Sequence, residues 1–386
     1  MFGPEKIMKW CDKHLQGMRR SRRSALASIC AGAMKMKGVG VLALGRAMHG
    51  PTSAKHRIKR VDRFLGNEDV EVSELSTTLF NVLRGSQRPP IVLVDWTDRQ
   101  AFEQLVFSIA KDGRSMPFLS VTIQSTHFKA KTKGVKIQAE QQALEEFRAL
   151  CPPHVCPIVI ADRGFGNARW IRDVEKWGCS FVQRLSMKHF VDMEQHIGLL
   201  CELGIRKGYR PKDWGWGSIG ADEEEEKTEV RLISVYDRQA DEPWYLIVNT
   251  GDFDANEIGK LYKKRMWTEA MFRDLKSRKW GMGLDEVQLS SVERTQRHFA
   301  IMMLAYVLLC AFGAIAEHQN FGETLKANTV NKRVLSLAVV GNHFMEFICG
   351  FKLQVQHFEG YLSFMVSAEP ISVGAIRRSL VRGDGW

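Results

Sequence analysis

The fifteen residues from Tyr262 to Lys276, YKKRMWTEAMFRDLK, combine a carboxylate, a tyrosine and several cations at helical spacing. Placed on one helix at about 100° per residue, Tyr262, Arg265, Glu269, Arg273 and Lys276 share a face roughly 80° wide. Trp267, Met271 and Leu275 fall opposite them, at the spacing of a core stripe. Glu269 is therefore a lone carboxylate among cations, with Tyr262 and Lys276 each roughly 10 Å from it along the axis. Such a face can touch several phosphates while its carboxylate serves the reacting one. The plainer reading is a solvated, charged surface helix.

Two further acids sit in strand-like runs. After Gln87-Arg88-Pro89-Pro90, IVLVDW reads as a strand buried on both faces that ends on Asp95. PIVIADRGFG reads as a second, ending on Asp162, with Gly164 and Gly166 allowing close approach of backbone or ligand. Ligands of α/β sheets collect at the carboxyl ends of adjacent parallel strands. A desolvated carboxylate pair there repels, and a divalent cation is the usual remedy. Either Asp alone could equally cap a helix or make a turn.

The elements that must position these acids follow from pattern and punctuation. Residues 1 to about 70 read as short helices: Ser24 caps ALASICAGAMKMK, VLALGRAM follows a glycine break, and TSAKHRIKRVDRFLG forms a third. In that third helix Lys55, Lys59 and Arg63 repeat at i, i+4, i+8, while Ile58, Val61 and Leu65 pack another face. It suits a loosely helix-turn-helix-like DNA reader or a positively charged clamp without base readout. QLVFSIAKDGRSMPFLSVTIQS reads as a hairpin around Lys111-Asp112-Gly113, and a helix runs from Lys136 to Leu150. Asn167 caps a further helix, and SFVQRL is a fifth strand. The Trp- and Gly-rich tract that follows, with an exposed acidic run Asp222 to Glu226 and the strands EVRLISVYD and PWYLIVNT, reads as a β-rich insertion over about 186–251.

Charge points to an anionic polymer. The net charge is +11, yet residues 1–66 hold fifteen Lys/Arg against Glu5, Asp12 and Asp62, a net of +12, leaving about −1 for the rest. Nucleic acid is the simplest partner and a membrane surface the rival. The eight cysteines are scattered without a signal peptide, as expected of reduced thiols and a cytoplasmic protein. Cys151-x-x-His154-x-Cys156 lacks the second ligand pair of a zinc site. The apolar run Phe299 to Ala316 reads as a buried helix covering a sheet rather than a membrane span.

Tyr262, Arg265, Glu269 and Lys276 together resemble the Tyr-Arg-Glu-Lys signature of the DDE transposases of the insertion sequence 4 family. IVLVDWTD at Asp95 and DRGF at Asp162 resemble that family's two other acidic motifs, and KHRIKRVDRFLGN (55–67) is similar to its insertion sequence 10 branch. Four motifs in order carry far more weight than any one. The resemblance implies an α/β, ribonuclease-H-like mixed sheet with flanking helices and a β-strand insertion before the last catalytic helix. The resemblance runs from about residue 40 to 335; with the patterns above, the chain divides into a helical, basic DNA-binding domain (1–85), a catalytic core (86–325) and a helical C-terminal region (326–386) as a candidate for dimerisation.

Asp95, Asp162 and Glu269 would be the metal-binding triad. Two Mg²⁺ ions ~4 Å apart, with Mn²⁺ able to substitute, would serve the attacking and leaving oxygens of hydrolysis and strand transfer. Tyr262, Arg265, Arg273, Lys276, Lys55, Lys59 and Arg63 would contact DNA, and Trp244 would stack on a base flipped out near the element end. Against that last role stands Trp244 as a packed strand residue, with Trp214 and Trp216 as runners-up for the platform. The implied activity is cut-and-paste transposition of a bacterial insertion element, with a hairpin intermediate, by a nucleoid-associated homodimer acting on inverted-repeat ends and target DNA. The rivals are a DNA-binding repressor without catalysis and a metal-dependent nuclease without strand transfer.

Overall fold

The computed structural model describes residues 4–347, apart from 37, 86–88, 112, 127–132, 167, 220–226, 280, 319–324 and 326–334. Asn167, Asp112, the acidic run Asp222 to Glu226 and everything after 347 lie outside the described residues. Strand Ile91–Arg99 (β1) opens with four apolar residues, all buried, as a strand covered on both faces requires. It runs parallel to Ile158–Ala161 (β4), and β4 runs parallel to Ser180–Leu185 (β5). On its other side β1 pairs antiparallel with Phe102–Lys111 (β2), and β2 with Arg114–Gln124 (β3). Gly113 at φ +73° makes the tight return between those two, a conformation side chains rarely adopt.

The insertion extends this sheet instead of forming its own. Phe190–Met193 (β6), His196–Leu199 (β7), Lys212–Ile219 (β8), Thr228–Val235 (β9) and Trp244–Val248 (β10) join it through β10, which pairs antiparallel with β5. The order is β3-β2-β1-β4-β5-β10-β9-β8-β6-β7. This is the α/β, ribonuclease-H-like mixed sheet expected, with its strand insertion and its helical N-terminal region. β9 and β10 match the two strands read from sequence. β6 and β7, of four residues each, and β8, interrupted by Gly215 and Gly217, carry too little pattern to be read that way.

The N-terminal helices are Pro4–His14 (α1), Arg20–Ala33 (α2), Val41–Ala47 (α3), Ala54–Gly66 (α4) and Ser73–Arg84 (α5). Lys133–Leu150 (α6) and Ala168–Lys176 (α7) flank the sheet, followed by Ala255–Lys263 (α8), Met266–Lys276 (α9), Val292–His318 (α10) and Leu337–Phe347 (α11). Ser24 does not cap a helix: α2 begins four residues earlier, because Arg20 to Arg23 are good helix formers. Within it the Ser24 hydroxyl accepts from Arg60 of α4 at 2.8 Å.

The apolar helix α10 is long enough to cross a membrane, but 94% of its most apolar window is buried in the protein. It packs on β3, α2 and α11. At the α10–α11 crossing a Cβ on Gly313 would lie 1.9 Å from the Leu337 carbonyl oxygen, so the close approach needs glycine. The N-terminal helices share this core rather than forming a separate one, since a single hydrophobic cluster runs from Ile7 through Leu65 to Val94 and Phe299. Arg297 of α10 donates to the Leu65 carbonyl at 2.9 Å, and Asn342 of α11 to that of Met34 at 2.8 Å.

A buried polar link ties β1 to α10 and to the segment before α3. Arg99, 2% exposed, donates to His298 Nδ1 at 2.8 Å. A guanidinium can only donate, so Nδ1 accepts, and Nε2 carries the proton that it gives to the Val39 carbonyl at 2.7 Å. Burial, with the Arg99 charge adding to it, pushes His298 down to about 3, and burial pushes Arg99 down to about 9. The folded protein thus keeps His298 neutral where the unfolded chain protonates it. Its stability contribution is present above pH 6.5 and is lost as pH falls toward 3, by about 1.4 kcal/mol per pH unit. His298→Gln can still accept from Arg99 and donate to Val39, so urea unfolding at pH 4 to 6 should show a pH slope smaller by about that amount. An unchanged slope would show that His298 does not titrate in this way.

Candidate functional site

Asp95 and Asp162 stand side by side because β1 and β4 are adjacent and parallel. The last parallel pair is Val94 with Ala161, and each acid is the next residue along its chain. β1 does not end at Asp95, however. It continues to Arg99, held by antiparallel pairing with β2, so Asp95 is a mid-strand residue opposite Val106. β4 does end at Ala161, and Asp162 begins a single 3₁₀ turn, Arg163–Phe165.

The segment from Tyr262 to Lys276 is two helices rather than one. α8 stops at Lys263, and α9 starts at Met266. Between them, Arg265 N bonds to Tyr262 O and Thr268 N to Arg265 O, both at 2.9 Å, the tighter i→i−3 pattern. Tyr262 is consequently 1% exposed at the end of α8, while Glu269 lies exposed in the first turn of α9. On the apolar side Met271 and Leu275 are fully buried; Trp267 is half-buried, with Lys264 Nζ 4.4 Å above its ring.

Arg265 joins the three acids. Its Nη1 lies 3.2 Å from Asp95 Oδ2 and 3.9 Å from Asp162 Oδ2, and its Nη2 donates to Glu269 Oε1 at 2.7 Å. Three carboxylates from three elements thus converge on one guanidinium. Tyr262 donates its hydroxyl to Asp162 Oδ1 at 2.8 Å, and the Trp96 backbone N–H donates to Asp95 Oδ1 at 2.9 Å. Burial pushes Asp95 up to about 6, against the pull of Arg265. Asp162 meets the same burial, but Arg265, the Arg163 N–H, the Tyr262 hydroxyl and Arg184 outweigh it and hold this carboxyl below the ordinary range. Burial opposes the charge of Arg265, yet Asp162, Tyr262, Asp95 and Glu269 together raise its pKa.

The other candidates lie at different distances from this centre. Lys276 Nζ is 2.6 Å from Asp98 on β1, at the rim, and Arg273 is exposed on α9. Lys55, Lys59 and Arg63 are exposed along α4, opposite buried Val61 and Leu65. Trp244 is only 5% exposed, with its ring centroid 5.1 Å from that of Tyr262 in an edge-on contact. Trp244 lies in one buried cluster with Ile258, Leu261 and Tyr262 of α8, which cover its ring in this structure. Trp214 is also buried, its indole N–H donating to Ser234 Oγ at 2.9 Å, whereas Trp216 is exposed.

Sequence reading missed Arg184. This β5 residue lies 3.6 Å from Asp162 and also pairs with Glu242, which Arg163 holds at 2.9 Å. Its signal was available, since a lone Arg in the apolar run SFVQRL needs an acid beside it. Trp96, Glu140 and Lys136 form a second layer beside Asp95: the indole donates to Glu140 Oε1 at 3.1 Å, and Lys136 lies 3.6 Å from the same atom. The Cys151-His154-Cys156 tract has a buried first cysteine and an exposed last one.

Among protein families, the transposase DDE domain matches residues 86–308, more than half of the chain. The chain belongs to that family. No curated protein matches it. DDE transposases generally use divalent metal ions. Hard carboxylate oxygens, one of them strongly desolvated, are suitable donors for such an ion. Among the described residues no three such side chains are grouped to hold one; the three acids are gathered on a guanidinium.

Arg265→Met in this DDE transposase takes from Asp95, Asp162 and Glu269 the guanidinium they share, leaving only Asp162 with another cation, Arg184. Stripping the partner from a buried charge costs about 3 kcal/mol or more. Metal-free protein should therefore unfold at a lower temperature than wild type, and millimolar Mg²⁺ should recover much of the difference. A variant as stable as wild type, and indifferent to Mg²⁺, would show that the guanidinium does not hold the acids together.

Proposed function

We propose that the chain is the transposase of a bacterial insertion element of the insertion sequence 4 type, cutting the element's ends and joining them to target DNA by a cut-and-paste route. The observation that carries this reading is the convergence of Asp95, Asp162 and Glu269 on Arg265. A repressor without catalysis or a structural protein has no chemical use for three carboxylates gathered at one point.

Asp95, Asp162 and Glu269 would hold Mg²⁺, with Mn²⁺ as substitute. When bound, the metal supplies Lewis-acid activation of the attacking oxygen and positive charge for the leaving one. The chain's own part is to gather the acids and to bind phosphate. Arg265 screens the carboxylates and, when DNA binds, would be free to donate to a backbone phosphate. The Nε atoms of Arg265 and Arg184 are buried without a hydrogen-bond partner, as suits donors awaiting an anion. Tyr262 keeps Asp162 oriented through its hydroxyl. Lys276 and Arg273 lie further along the same helix for flanking phosphates, and the exposed cations of α4 supply sequence-independent affinity.

The hairpin on the element end and the homodimeric synaptic complex rest on the Tyr262–Lys276 signature. So do the bacterial cytoplasm and its nucleoid as the place of action.

Labelled element ends incubated with Mg²⁺ and a target plasmid should give joined product. Bound complex alone would indicate a repressor, and cut ends alone a nuclease. Asp95→Asn, Asp162→Asn and Glu269→Gln should each abolish cutting while leaving end affinity within about threefold, because phosphate contacts dominate affinity. Any one variant that cuts within about tenfold of wild type leaves that residue outside the metal site. Replacing Lys55, Lys59 and Arg63 together by alanine should lower the slope of log affinity against log salt by about 2.7. An unchanged slope would remove α4 from the DNA contact.

A further inference from the structure

The connection between β7 and β8 carries Arg206-Lys207-Gly208-Tyr209-Arg210, a run of cations around a tyrosine that is 63% exposed. An aromatic side chain usually seeks cover, and this one stands exposed between two exposed arginines. Among the described residues the side chains of Arg206, Tyr209 and Arg210 take part in no hydrogen bond, ion pair or ring contact. The loop is nevertheless held in place. Gly208 N donates to the Tyr236 carbonyl at 2.9 Å, Tyr209 N to that of Arg206 at 3.3 Å, and Lys207 Nζ lies 5.7 Å from the centre of the Tyr236 ring. Gly208 itself has φ +79°, where a side chain would be strained and would meet Arg238.

The position of the loop gives these groups meaning. Tyr236 follows the last residue of β9, and β9 ends where β10 begins, with Val235 opposite Trp244. Tyr245 in turn lies opposite Leu185, the last residue of β5. The same edge holds Asp237, paired with Lys263 of α8 at 2.7 Å, and Glu242, paired with Arg184 beside Asp162. Trp244 packs on Tyr262, whose hydroxyl reaches Asp162. The loop therefore projects from the sheet edge that carries the acids.

We propose that the Arg206–Arg210 loop is a second DNA contact, in which Arg206 and Arg210 take backbone phosphates beside the cut site and Tyr209 lies against an unpaired base. This rests on the function proposed above. A polyanion matches unpaired cations on a built loop, and a base is the flat, sequence-tolerant partner that a rigid exposed ring can hold.

The test measures affinity of the full chain in EDTA for a labelled duplex, and for the same duplex with one unpaired base near its end. Arg206→Ala with Arg210→Ala should weaken both by roughly tenfold at low salt and reduce the salt slope by about 1.8. Tyr209→Ala should weaken only the unpaired substrate, by roughly fivefold, with its slope unchanged, and Tyr209→Phe should bind as wild type. Thermal unfolding at the wild-type temperature confirms that the variants are folded. Folded variants with wild-type affinity and slope would overturn the loop's role, while a loss seen only in the Lys55, Lys59 and Arg63 variant would leave the proposed function standing. Unaltered DNA binding with weakened binding of a polyglutamate peptide would assign the loop to an acidic protein partner and overturn it equally. Wild-type protein that binds no duplex at all would overturn both readings.

Discussion

The pairing of one guanidinium with three carboxylates is the interaction on which the site depends. Asp95 sits on β1, Asp162 at the end of β4 and Glu269 on α9, and like charges brought this close would otherwise push those elements apart. Arg265 can do this because the chain bends between α8 and α9, which puts it 8% exposed at the junction instead of on the outer face of a continuous helix. The same bend buries Tyr262 against Trp244 and aims its hydroxyl at Asp162. Asp95 and Asp162 respond oppositely to similar burial, one pushed up and one held down, because Asp162 has more donors around it.

The sheet explains why those elements can bear the strain of gathered charge. β1, β4 and β5 are parallel and buried, and the insertion prolongs the sheet through β10, so the floor of the site is continuous from β3 to β7. α10 covers β3, and through Arg297 and His298 it grips the backbone of the N-terminal helices at Leu65 and Val39. DNA held by α4 would therefore be registered against the acids by a packed core, without a flexible linker between the two.

Much of this was legible in the residues. The apolar runs before Asp95 and Asp162 identify strands buried on both faces, and the regular spacing of Arg265, Glu269, Arg273 and Lys276 identifies a charged face. What periodicity could not show was the break after Lys263, because a tightened i→i−3 turn leaves the sequence pattern almost unchanged over so few residues. Nor could it show that β1 runs past Asp95, since pairing with β2 decides that and polar residues in a strand look like its end. Trp244 shows the limit of motif position as a guide. Its ring is covered by Ile258, Leu261 and Tyr262 of α8, a cover that PWYLIVNT alone cannot show.

On the proposed function, Asp95, Asp162 and Glu269 would hold metal where the Arg265 guanidinium now stands. The most direct measurement is a crystal of the protein with duplex DNA grown in Mn²⁺, read by anomalous scattering. Manganese held by Asp95, Asp162 and Glu269, with Arg265 turned onto a phosphate, is the expected result. A map showing Arg265 still on the three acids, and manganese bound elsewhere or not at all, would contradict it.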